Sequence, residues 1–330
     1  MQNGHYMTGD GNHHRMVEVD MMGNTIHNWD MLERGYTMHH AISQDKQGNI
    51  LATVSKTSAK IANGKDVRIN DFIIRMDPEK GEILQEWDLV HMLDSARYGM
   101  TDYNLTADPY AQNASNWAHN NGIVEWGNDY LATARYQGIF KFNKAGGIEW
   151  IISPHGYWRD RYLKLLLNPL HADGTPITDP DVIAGTKNCD DFEWPWGCHT
   201  AVPLPNGHIF YFNNGYGRNF KLDFTDRKNV YTCGIEYEVD EVNRTVRQVW
   251  QYGKERGTAY FTPARSGVQY LEQTGNRLIC PGMSNVLSNG NRGARVTEVD
   301  PETQEIVFEL ELEDAIYQRV YRMPLYPDNQ

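Results

Sequence analysis

Hydrophobic and polar residues alternate along most of the chain, and short turns rich in Asp, Asn, Gly and Pro interrupt the alternation. A period of two is typical of β-strands with one buried face. One pattern occurs five times: an alternating strand, an Asp or Asn, a turn, and a strand that ends in an aromatic residue or a leucine. Its copies span residues 17–29, 73–87, 139–150, 235–250 and 296–310. Each copy predicts a β-hairpin.

A second pattern lies between the copies of the first and consists of a strand, a tight glycine-containing turn and another strand. Its copies begin at His40, His119, His199 and Ser266. Joined to the hairpin that follows, each copy makes a four-stranded antiparallel unit. Four such units follow one another, and a half-unit at residues 16–31 precedes them. Radial repetition of four-stranded units predicts an all-β fold, the β-propeller.

The repeats and the chain length bound the number of blades. Five blades are evident from the repeats, and 330 residues accommodate five to seven blades of about 40–45 residues each. A sixth blade has room in residues 91–116 or 151–197. Residues 157–170 carry the one strong helical pattern, so a short helical insertion is predicted at about 153–197. C-terminal strands near 317–326 are expected to pair with the half-unit, which makes residues 1–330 a single β-propeller domain.

Histidines occupy one equivalent position in three of the units. When the second pattern is aligned on its turn glycines, His40, His119 and His199 each lie eight residues before the glycine. The fourth unit has Ser266 and Gly267 in that position. If the first strand of each blade is innermost, the three imidazoles meet at one mouth of the central channel. Simple packing explains any single histidine, whereas a shared site better explains three at the same offset.

Three converging imidazoles support either metal ligation or nucleophilic and acid–base catalysis. The neighbouring residues help to choose between the two. Asn121 follows His119 by two residues, and Arg135 lies on the next strand of the same unit. A guanidinium repels a divalent metal but binds an oxyanion, although a surface ion pair is the alternative interpretation of Arg135. The combination favours chemistry on an anion, with no metal.

Composition limits the partners. The chain has 31 Lys and Arg against 43 Asp and Glu, a formal net charge of −12. It shows no basic stripe and no apolar run near 20 residues, so neither nucleic-acid binding nor a membrane span is expected. The N-terminus lacks the basic and apolar regions of a secretory signal. Cys189 and Cys198 either form a local disulfide in an oxidising compartment or stay buried thiols.

Around the histidines the sequence resembles the bacterial arylsulfate sulfotransferase family, over residues 15–326. The segment NWAHNNGIVEWGNDYLATARYQGIFKFNKAGGIEWII is similar to the family's W-A-H-x-N segment and the strands after it, and GCHTAVPLPNGHIFYFNNGYGRNF is similar to its Q-H-T-A segment. VRQVWQYGKERG and TPARSGVQYL also resemble family strands. The resemblance implies a six-bladed propeller that moves a sulfuryl group from a phenolic sulfate ester to a phenol, with no nucleotide sulfate donor and no cofactor.

The resemblance also implies roles for individual residues. His199 corresponds to the nucleophile, which becomes a sulfohistidine in a ping-pong reaction. His119, Asn121 and Arg135 correspond to residues that contact the sulfuryl or phenolic oxygens. His40 corresponds to the first-blade histidine, with His39 as the alternative. Further substrate contacts are expected from a hydroxyl-bearing segment and from aromatic residues before the nucleophile: Thr262, Arg265, Ser266, Trp194 and Trp196.

Further expectations accompany the resemblance. The family has a disulfide before the nucleophile, which Cys189 and Cys198 would supply, and a periplasmic or secreted location in a bacterium is implied. Family members carry an extra N-terminal β domain, for which no separate counterpart is expected here, and a homodimer is an open expectation. Cys198 replaces the family's Gln, and TAR replaces its SSR. Two alternatives remain: a tri-histidine metalloenzyme on a propeller, and a non-catalytic ligand-binding propeller.

Overall fold

The computed structural model describes residues 1, 4–10, 14–63, 66–97, 117–222, 225–284 and 292–323. Within these residues the chain forms five sheets that follow one another in sequence. Sheet I contains three strands, β1 (Tyr6–Asp10), β2 (Arg15–Val19) and β3 (Thr25–Asp30). Sheet II contains β4 (Tyr36–Gln44), β5 (Ile50–Asn63), β6 (Asp66–Met76) and β7 (Ile83–Asp88).

The remaining sheets continue the same order. Sheet III contains β8 (Asn120–Trp126), β9 (Asp129–Ala134), β10 (Gly138–Phe142) and β11 (Ile148–Ile152). Sheet IV contains β13 (His199–Pro203), β14 (Ile209–Asn213), β15 (Cys233–Asp240) and β16 (Thr245–Tyr252), and β12 (Asn168–Leu170) pairs with β16 in parallel. Sheet V contains β17 (Ser266–Tyr270), β18 (Arg277–Pro281), β19 (Ala294–Val299) and β20 (Ile306–Leu312).

The sheets are arranged as blades around a common axis. The first strands of consecutive sheets contact each other, from β1 to β4, β8, β13 and β17. Each later strand of a sheet lies further from the axis, and the exception is β12, which pairs with the outer side of β16 in sheet IV. The predicted β-propeller is therefore confirmed, with five blades among the described residues. The strand pairs predicted from the five copies of the first pattern and the four copies of the second are all present. No sheet forms within 151–197, and most of the other proposed place for a sixth blade, 98–116, lies outside the described residues.

In three copies of the first pattern, the tryptophan that ends the copy joins one blade to the next. The indole Nε1 of Trp87 donates to the backbone oxygen of Lys144, and that of Trp250 donates to Pro301, at 3.0 and 2.9 Å. Trp150 donates to the Glu241 carboxylate at 2.8 Å. Each acceptor lies in the hairpin turn of the following sheet. A buried indole with a satisfied N–H contributes on the order of 3–5 kcal/mol, so the repeat encodes contacts between blades.

The insertion differs from its prediction. Only Asp160–Leu163 forms a helix (α2) where a helix over 157–170 was predicted, and α3 (Pro180–Ala184) follows it. The backbone of Ile151 exchanges hydrogen bonds with Leu165 and Leu167. The chain therefore extends along the sheet edge, and Pro169, which donates no backbone hydrogen bond, lies in β12. Burial of Leu166 and Leu167 against the sheet replaced the helical continuation.

The C-terminal segment lies on sheet V and over the channel. Tyr317 donates its backbone N–H to Gly282, and the side chain of Gln269 exchanges two hydrogen bonds with the backbone of Arg322. No strand forms among residues 313–323, so the predicted pairing with the N-terminal half-unit is absent there, and residues 324–326 lie outside the described part of the chain. No helix in the described ranges is long and apolar enough to cross a membrane.

The other helices are short. Helix α1 (Leu89–Met92) follows sheet II and is capped by the Asp88 carboxylate, which accepts from the backbone N–H of Val90. In the described part of the chain, three 3-10 helices cover Arg218–Phe220, Arg227–Asn229 and Lys254–Ala259. These segments connect strands at the ends of the blades, so the structure is dominated by its sheets.

Candidate active site at the propeller axis

The backbone is irregular next to each of the three histidines on the inner strands, and this irregularity turns their side chains towards the axis. The pairing register shifts between Met38 and Ile42 in β4 and between Asn120 and Gly122 in β8. His40 and His119 have positive φ angles of 48° and 54°. In β13 the shift follows His199, and Thr200 has φ 43°. Non-glycine residues seldom adopt this conformation, and bulges of this kind re-aim side chains next to functional sites.

The three predicted histidines meet. The Nε2 atoms of His40 and His119 are 3.1 Å apart, and the centroids of the two rings are separated by 4.5 Å. The ring of His199 lies 6.0 Å from that of His40. His119 and His199 are buried, and His40 is partly exposed. The predicted meeting of imidazoles from three blades is thus present in the structure.

A chain of side chains extends from these rings to a buried carboxylate. His39 Nδ1 is 3.1 Å from His40 Nδ1, and His39 Nε2 lies 3.4 Å from Asp71 Oδ1. Asp71 is buried and accepts hydrogen bonds from Ser55 and from the backbone of Asn120. Each close nitrogen pair requires one protonated and one unprotonated partner. The three rings can therefore pass a proton along the series, which ends at a His39 Nε2 atom that makes no hydrogen bond among the described residues and lies at ion-pair distance from Asp71.

His199 is held by an asparagine that the sequence patterns did not indicate. The His199 Nδ1 atom is 2.6 Å from Asn214 Oδ1 and 3.2 Å from the backbone oxygen of Gly197. The Asn214 Nδ2 amide donates to the Thr262 backbone oxygen, which identifies Oδ1 as the acceptor for His199. Nδ1 of His199 therefore carries the proton, and Nε2 keeps its lone pair. Asn214 directly follows β14, the partner strand of β13.

Arg135 lies beside the histidines. Its Nη2 atom donates to the Pro263 backbone oxygen at 2.8 Å, and its guanidinium stacks 4.6 Å from the ring centroid of Tyr216. The side chain is buried, so Arg135 is not the surface residue considered as an alternative. A buried guanidinium is a group that binds oxyanions.

Asn121 is placed differently from the prediction. Its side-chain amide donates to the Cys198 backbone oxygen at 2.8 Å, and its Oδ1 atom accepts from Thr133 at 2.7 Å. Asn121 therefore joins β8 to the residue before His199. Its backbone oxygen accepts a hydrogen bond from Nη2 of Arg319, a residue of the C-terminal segment.

Arg319 is a second channel cation that sequence reasoning missed. Its Nε atom is buried and has no hydrogen-bond partner among the described residues. The repeat alignment held no signal for it, because Arg319 lies outside every repeat. The packing of the segment on sheet V alone brings this guanidinium to the inner strands.

Desolvation and positive charge keep the three imidazoles neutral. Burial and the nearby guanidinium of Arg135 lower the pKa of His199 to about 3. Burial, followed by the charge of Arg135, also holds the pKa of His119 well below its usual value. The pKa of His40 is lowered in the same direction by burial, by the other histidines and by Arg319. A neutral imidazole is the form that attacks or accepts a proton.

The last sheet supplies a supporting layer. Ser266 Oγ donates to Asn214 Oδ1 at 3.3 Å, so it contacts the residue that holds His199. Thr262 Oγ1 donates to the Ala264 backbone oxygen and accepts from the backbone of Met283. Arg265 has a positive φ of 60°, and its backbone oxygen accepts from Gly282. The described contacts of Thr262 and Ser266 tie them to the scaffold around His199.

The two tryptophans before His199 have different contacts. Trp194 lies in the hydrophobic core, and its indole donates to the Val182 backbone oxygen at 2.8 Å within the insertion. Trp196 packs edge-on against Phe220, 5.2 Å between centroids. Together with Arg135, Trp196 lines a small gap beside the channel. Trp194 therefore packs the insertion, and Trp196 is the aromatic nearer to the candidate site.

The expected disulfide is absent. All four cysteines are free thiols. Cys198 is fully buried, whereas the Cys189 thiol donates to the Asp191 carboxylate at 3.1 Å. The expectation of a Cys189–Cys198 bridge was wrong, because the Cys189 thiol is directed at Asp191 and not at Cys198. Burial raises the pKa of the Cys198 thiol to about 12.

The arrangement of the histidines does not favour a divalent metal. The Nδ1 atom of His199 is directed at Asn214, and His40 and His119 direct Nε2 at each other. Within the described residues, the cluster whose donor atoms fit a metal contains none of the three. Two guanidiniums, Arg135 and Arg319, add positive charge beside them. An anion is the ligand that this set of groups suits.

Comparisons with known proteins identify the family of the chain. Two proteins named arylsulfate sulfotransferase AssT, from Escherichia coli O6:H1 (strain CFT073) and Lelliottia amnigena, are 28% and 29% identical to this chain over 95% of its length. The chain spans 57% of the length of each of these relatives. The solved structure of BamB from Moraxella catarrhalis aligns with 97% of this chain and 74% of the BamB chain, at 6% sequence identity and a TM-score of 0.36. A TM-score this low supports no conclusion about the present chain. A sequence profile described as Arylsulfotransferase (ASST) matches residues 1–322, and the chain belongs to that family.

Proposed function

We propose that the protein is an aryl sulfotransferase that moves a sulfuryl group from a phenolic sulfate ester to a phenol through a sulfohistidine at His199. The hydrogen bond between His199 Nδ1 and Asn214 is the observation that carries the proposal. It leaves the Nε2 lone pair available for attack beside two guanidiniums. Membership of the arylsulfotransferase family supports the reaction class.

The first half-reaction transfers the sulfuryl group to the enzyme. His199 Nε2 attacks the sulfur of the donor, the S–N bond forms, and the bond between sulfur and the phenolic oxygen breaks. The phenolate leaves with the electron pair. Arg135 and Arg319 stabilise the negative charge on the sulfuryl and phenolate oxygens, as cations do in other transfers of anionic groups. The reaction requires no nucleotide sulfate donor.

The second half-reaction transfers the sulfuryl group to the acceptor. A phenol loses its proton to the coupled pair His40 and His119, and its oxygen attacks sulfur as the S–N bond breaks. The chain through His39 to Asp71 accommodates the proton, because each imidazole in it passes one proton on as it accepts another. His199 returns to the neutral form with its Nε2 lone pair restored.

A cavity beside the histidines suits an aromatic ring. It has a volume of about 370 Å³ and begins at residues that follow the histidines on the inner strands, Ile42, Gly122 and Thr200. Aliphatic side chains and Tyr270 line most of it, and Arg319 borders it. Predominantly apolar walls with few polar groups are typical of small-molecule sites. We place the ring of one phenolic substrate here.

A transfer assay tests the proposal. The full chain is incubated with 4-nitrophenyl sulfate and phenol, and nitrophenol release and phenyl sulfate formation are measured by absorbance and mass spectrometry. With donor alone, the intact mass should increase by one SO₃ group, and the label should map to His199. Both signals should disappear in His199→Ala. His91→Gln is the matched control, because the His91 side chain is 82% exposed.

Two results would contradict the proposal. Transfer by His199→Ala at the wild-type rate would exclude a sulfohistidine at this position. Tight donor binding without turnover would favour the alternative of a non-catalytic ligand-binding propeller. A periplasmic or secreted location and a homodimer stay predictions.

A further inference from the structure

A second cluster of reactive side chains lies in the insertion, apart from the propeller axis. His171 Nδ1 is 3.0 Å from Asp191 Oδ1, and the Cys189 thiol donates to the same oxygen at 3.1 Å. The donor atoms of all three residues lie within 4.8 Å of one another. His171 follows β12, and Cys189 and Asp191 lie shortly before the strand that carries His199.

Two of the three separations are close to those of ligands around one small cation. The Cys189 sulfur and the His171 nitrogen, which lie within 4.8 Å of each other, would approach by about 1 Å on binding. Zinc binds Cys sulfur at about 2.3 Å and His nitrogen or carboxylate oxygen at about 2.0–2.2 Å, in tetrahedral geometry. Such bond lengths place neighbouring ligand atoms roughly 3.3–3.6 Å apart. The observed distances from Asp191 to His171 and Cys189 therefore need shifts of only a few tenths of an ångström.

The types of donor also select among metals. A thiolate and an imidazole are poor ligands for Mg²⁺ and Ca²⁺, which bind oxygen, and are good ligands for Zn²⁺. His171 and Asp191 have side chains that are 39% and 37% exposed. That exposure leaves room for water as a fourth ligand, which is the usual arrangement when a protein supplies three.

The carboxylate is already oriented for this role. The second oxygen of Asp191 accepts the backbone N–H of Ala172 at 2.9 Å. The Ala172 backbone oxygen accepts in turn from Arg247 on β16. Hydrogen bonds of this kind fix ligand geometry around metal centres. Of the four cysteines, Cys189 alone is not fully buried, so its thiol is accessible to a metal from solvent.

We propose that His171, Cys189 and Asp191 bind one Zn²⁺ ion and that the ion ties the insertion to the segment leading into β13. Binding forms one bond each to sulfur, nitrogen and oxygen and releases the Cys189 thiol proton to solvent. The ion closes a loop with 17 residues between His171 and Cys189. A ligand that binds only the folded chain stabilises it. The site is independent of the sulfuryl-transfer proposal.

Metal titration of the chelator-treated full chain tests this site. Co²⁺ replaces Zn²⁺ as the spectroscopic probe, and one equivalent should produce a thiolate-to-metal charge-transfer band that Zn²⁺ then removes. Zn²⁺ should also raise the melting temperature and protect one thiol from a thiol-modifying reagent. Cys189→Ser should abolish the band. Loss of an outer-shell partner alone costs about 10–100-fold in metal affinity, so loss of a direct ligand in Asp191→Asn or His171→Gln should weaken Zn²⁺ binding by at least about 100-fold.

Matched variants keep the test decisive if a ligand substitution disturbs folding. Asp160→Asn and His91→Gln change the same residue types outside the cluster and should bind Zn²⁺ as the wild type does. Circular dichroism checks that all variants are folded. Equal Zn²⁺ affinity in the wild type and Cys189→Ser, or a Co²⁺ spectrum without a thiolate band, would overturn the proposal. Sulfuryl transfer is measured separately, so failure of either proposal leaves the other intact.

Discussion

The blades that carry the histidines and the last sheet have different residues at the same position of the inner strand. In sheets II to IV the position carries an imidazole, and in sheet V it carries Ser266 and Gly267. A Cβ atom built on Gly267 would lie 3.5 Å from Cγ of Arg319 and 3.7 Å from the Thr200 hydroxyl. The absence of a side chain at Gly267 leaves the space that Arg319 fills from the C-terminal segment.

The two sides also differ in what fixes their side chains. Asn214 sets the tautomer of His199, and His39 and Asp71 extend the pair of the other two histidines. Arg319 is held through a backbone oxygen and through packing of its segment. Hydrogen-bonded partners therefore orient the three histidines, whereas packing of the C-terminal segment brings Arg319 to the channel.

Removing either guanidinium, Arg135 or Arg319, is expected to cause the largest loss of activity. Arg135→Met and Arg319→Met should each lower kcat by about 100- to 1,000-fold, as loss of one donor to a developing charge does elsewhere. Steady-state kinetics with 4-nitrophenyl sulfate measures the effect. Arg322→Met is the control, since Arg322 lies on the same segment and pairs with Glu298. An unchanged kcat in Arg319→Met would reduce Arg319 to a structural contact.

A second test changes Asn214, the hydrogen-bond partner of His199. A carboxylate favours the imidazolium form, so Asn214→Asp should raise the pKa of His199 from its value of about 3. The acidic limb of kcat/KM should move towards neutral pH, so activity should fall most at the acidic end of the profile and change least at pH 7. The pH profile is the measurement, and Asn214→Ala is the comparison. An identical acidic limb in Asn214→Asp and the wild type would show that His199 is not the titrating nucleophile.

Neutralising the far end of the proton chain should have a smaller effect, confined to one half-reaction. Asp71→Asn should slow transfer to weakly acidic phenols by about 10–100-fold. The first release of nitrophenol should stay at the wild-type rate, because it requires no base. Stopped-flow measurement with a series of acceptors of different acidity separates the two steps. Equal slowing of both steps would indicate a packing defect instead.

The buried imidazoles also predict how stability depends on pH. The pKa of His199 is about 3 in the folded chain against 6.5 in the unfolded one, so unfolding takes up a proton between these values. Stability therefore rises with pH in this window and is lost on acidification. His199→Gln should reduce the slope of unfolding free energy against pH by about 1.4 kcal/mol per unit. Denaturant unfolding from pH 7 to pH 5 measures it, and an unchanged slope would contradict the lowered pKa.

Local patterns predicted the blades well because strand, turn and hairpin depend on short-range physics. Asp77, Asp240 and Asp300 each accept the backbone N–H of the residue two positions on, the turn that an Asp at this point of the pattern favours. The helix over 157–170 was predicted by periodicity alone. It failed because a sheet edge competed for the same apolar residues.

The sequence by itself determined the repeated β-units, the propeller class and the equivalence of His40, His119 and His199, since fixed offsets in repeated blades map to equivalent points around an axis. Only the tertiary structure decided which groups complete the site. Asn214, Asp71 and Arg319 occupy no shared offset, and long-range packing alone brings them to the histidines. The same packing directs Cys189 to Asp191 and not to Cys198, because sulfur atoms pair only where the backbone places them together.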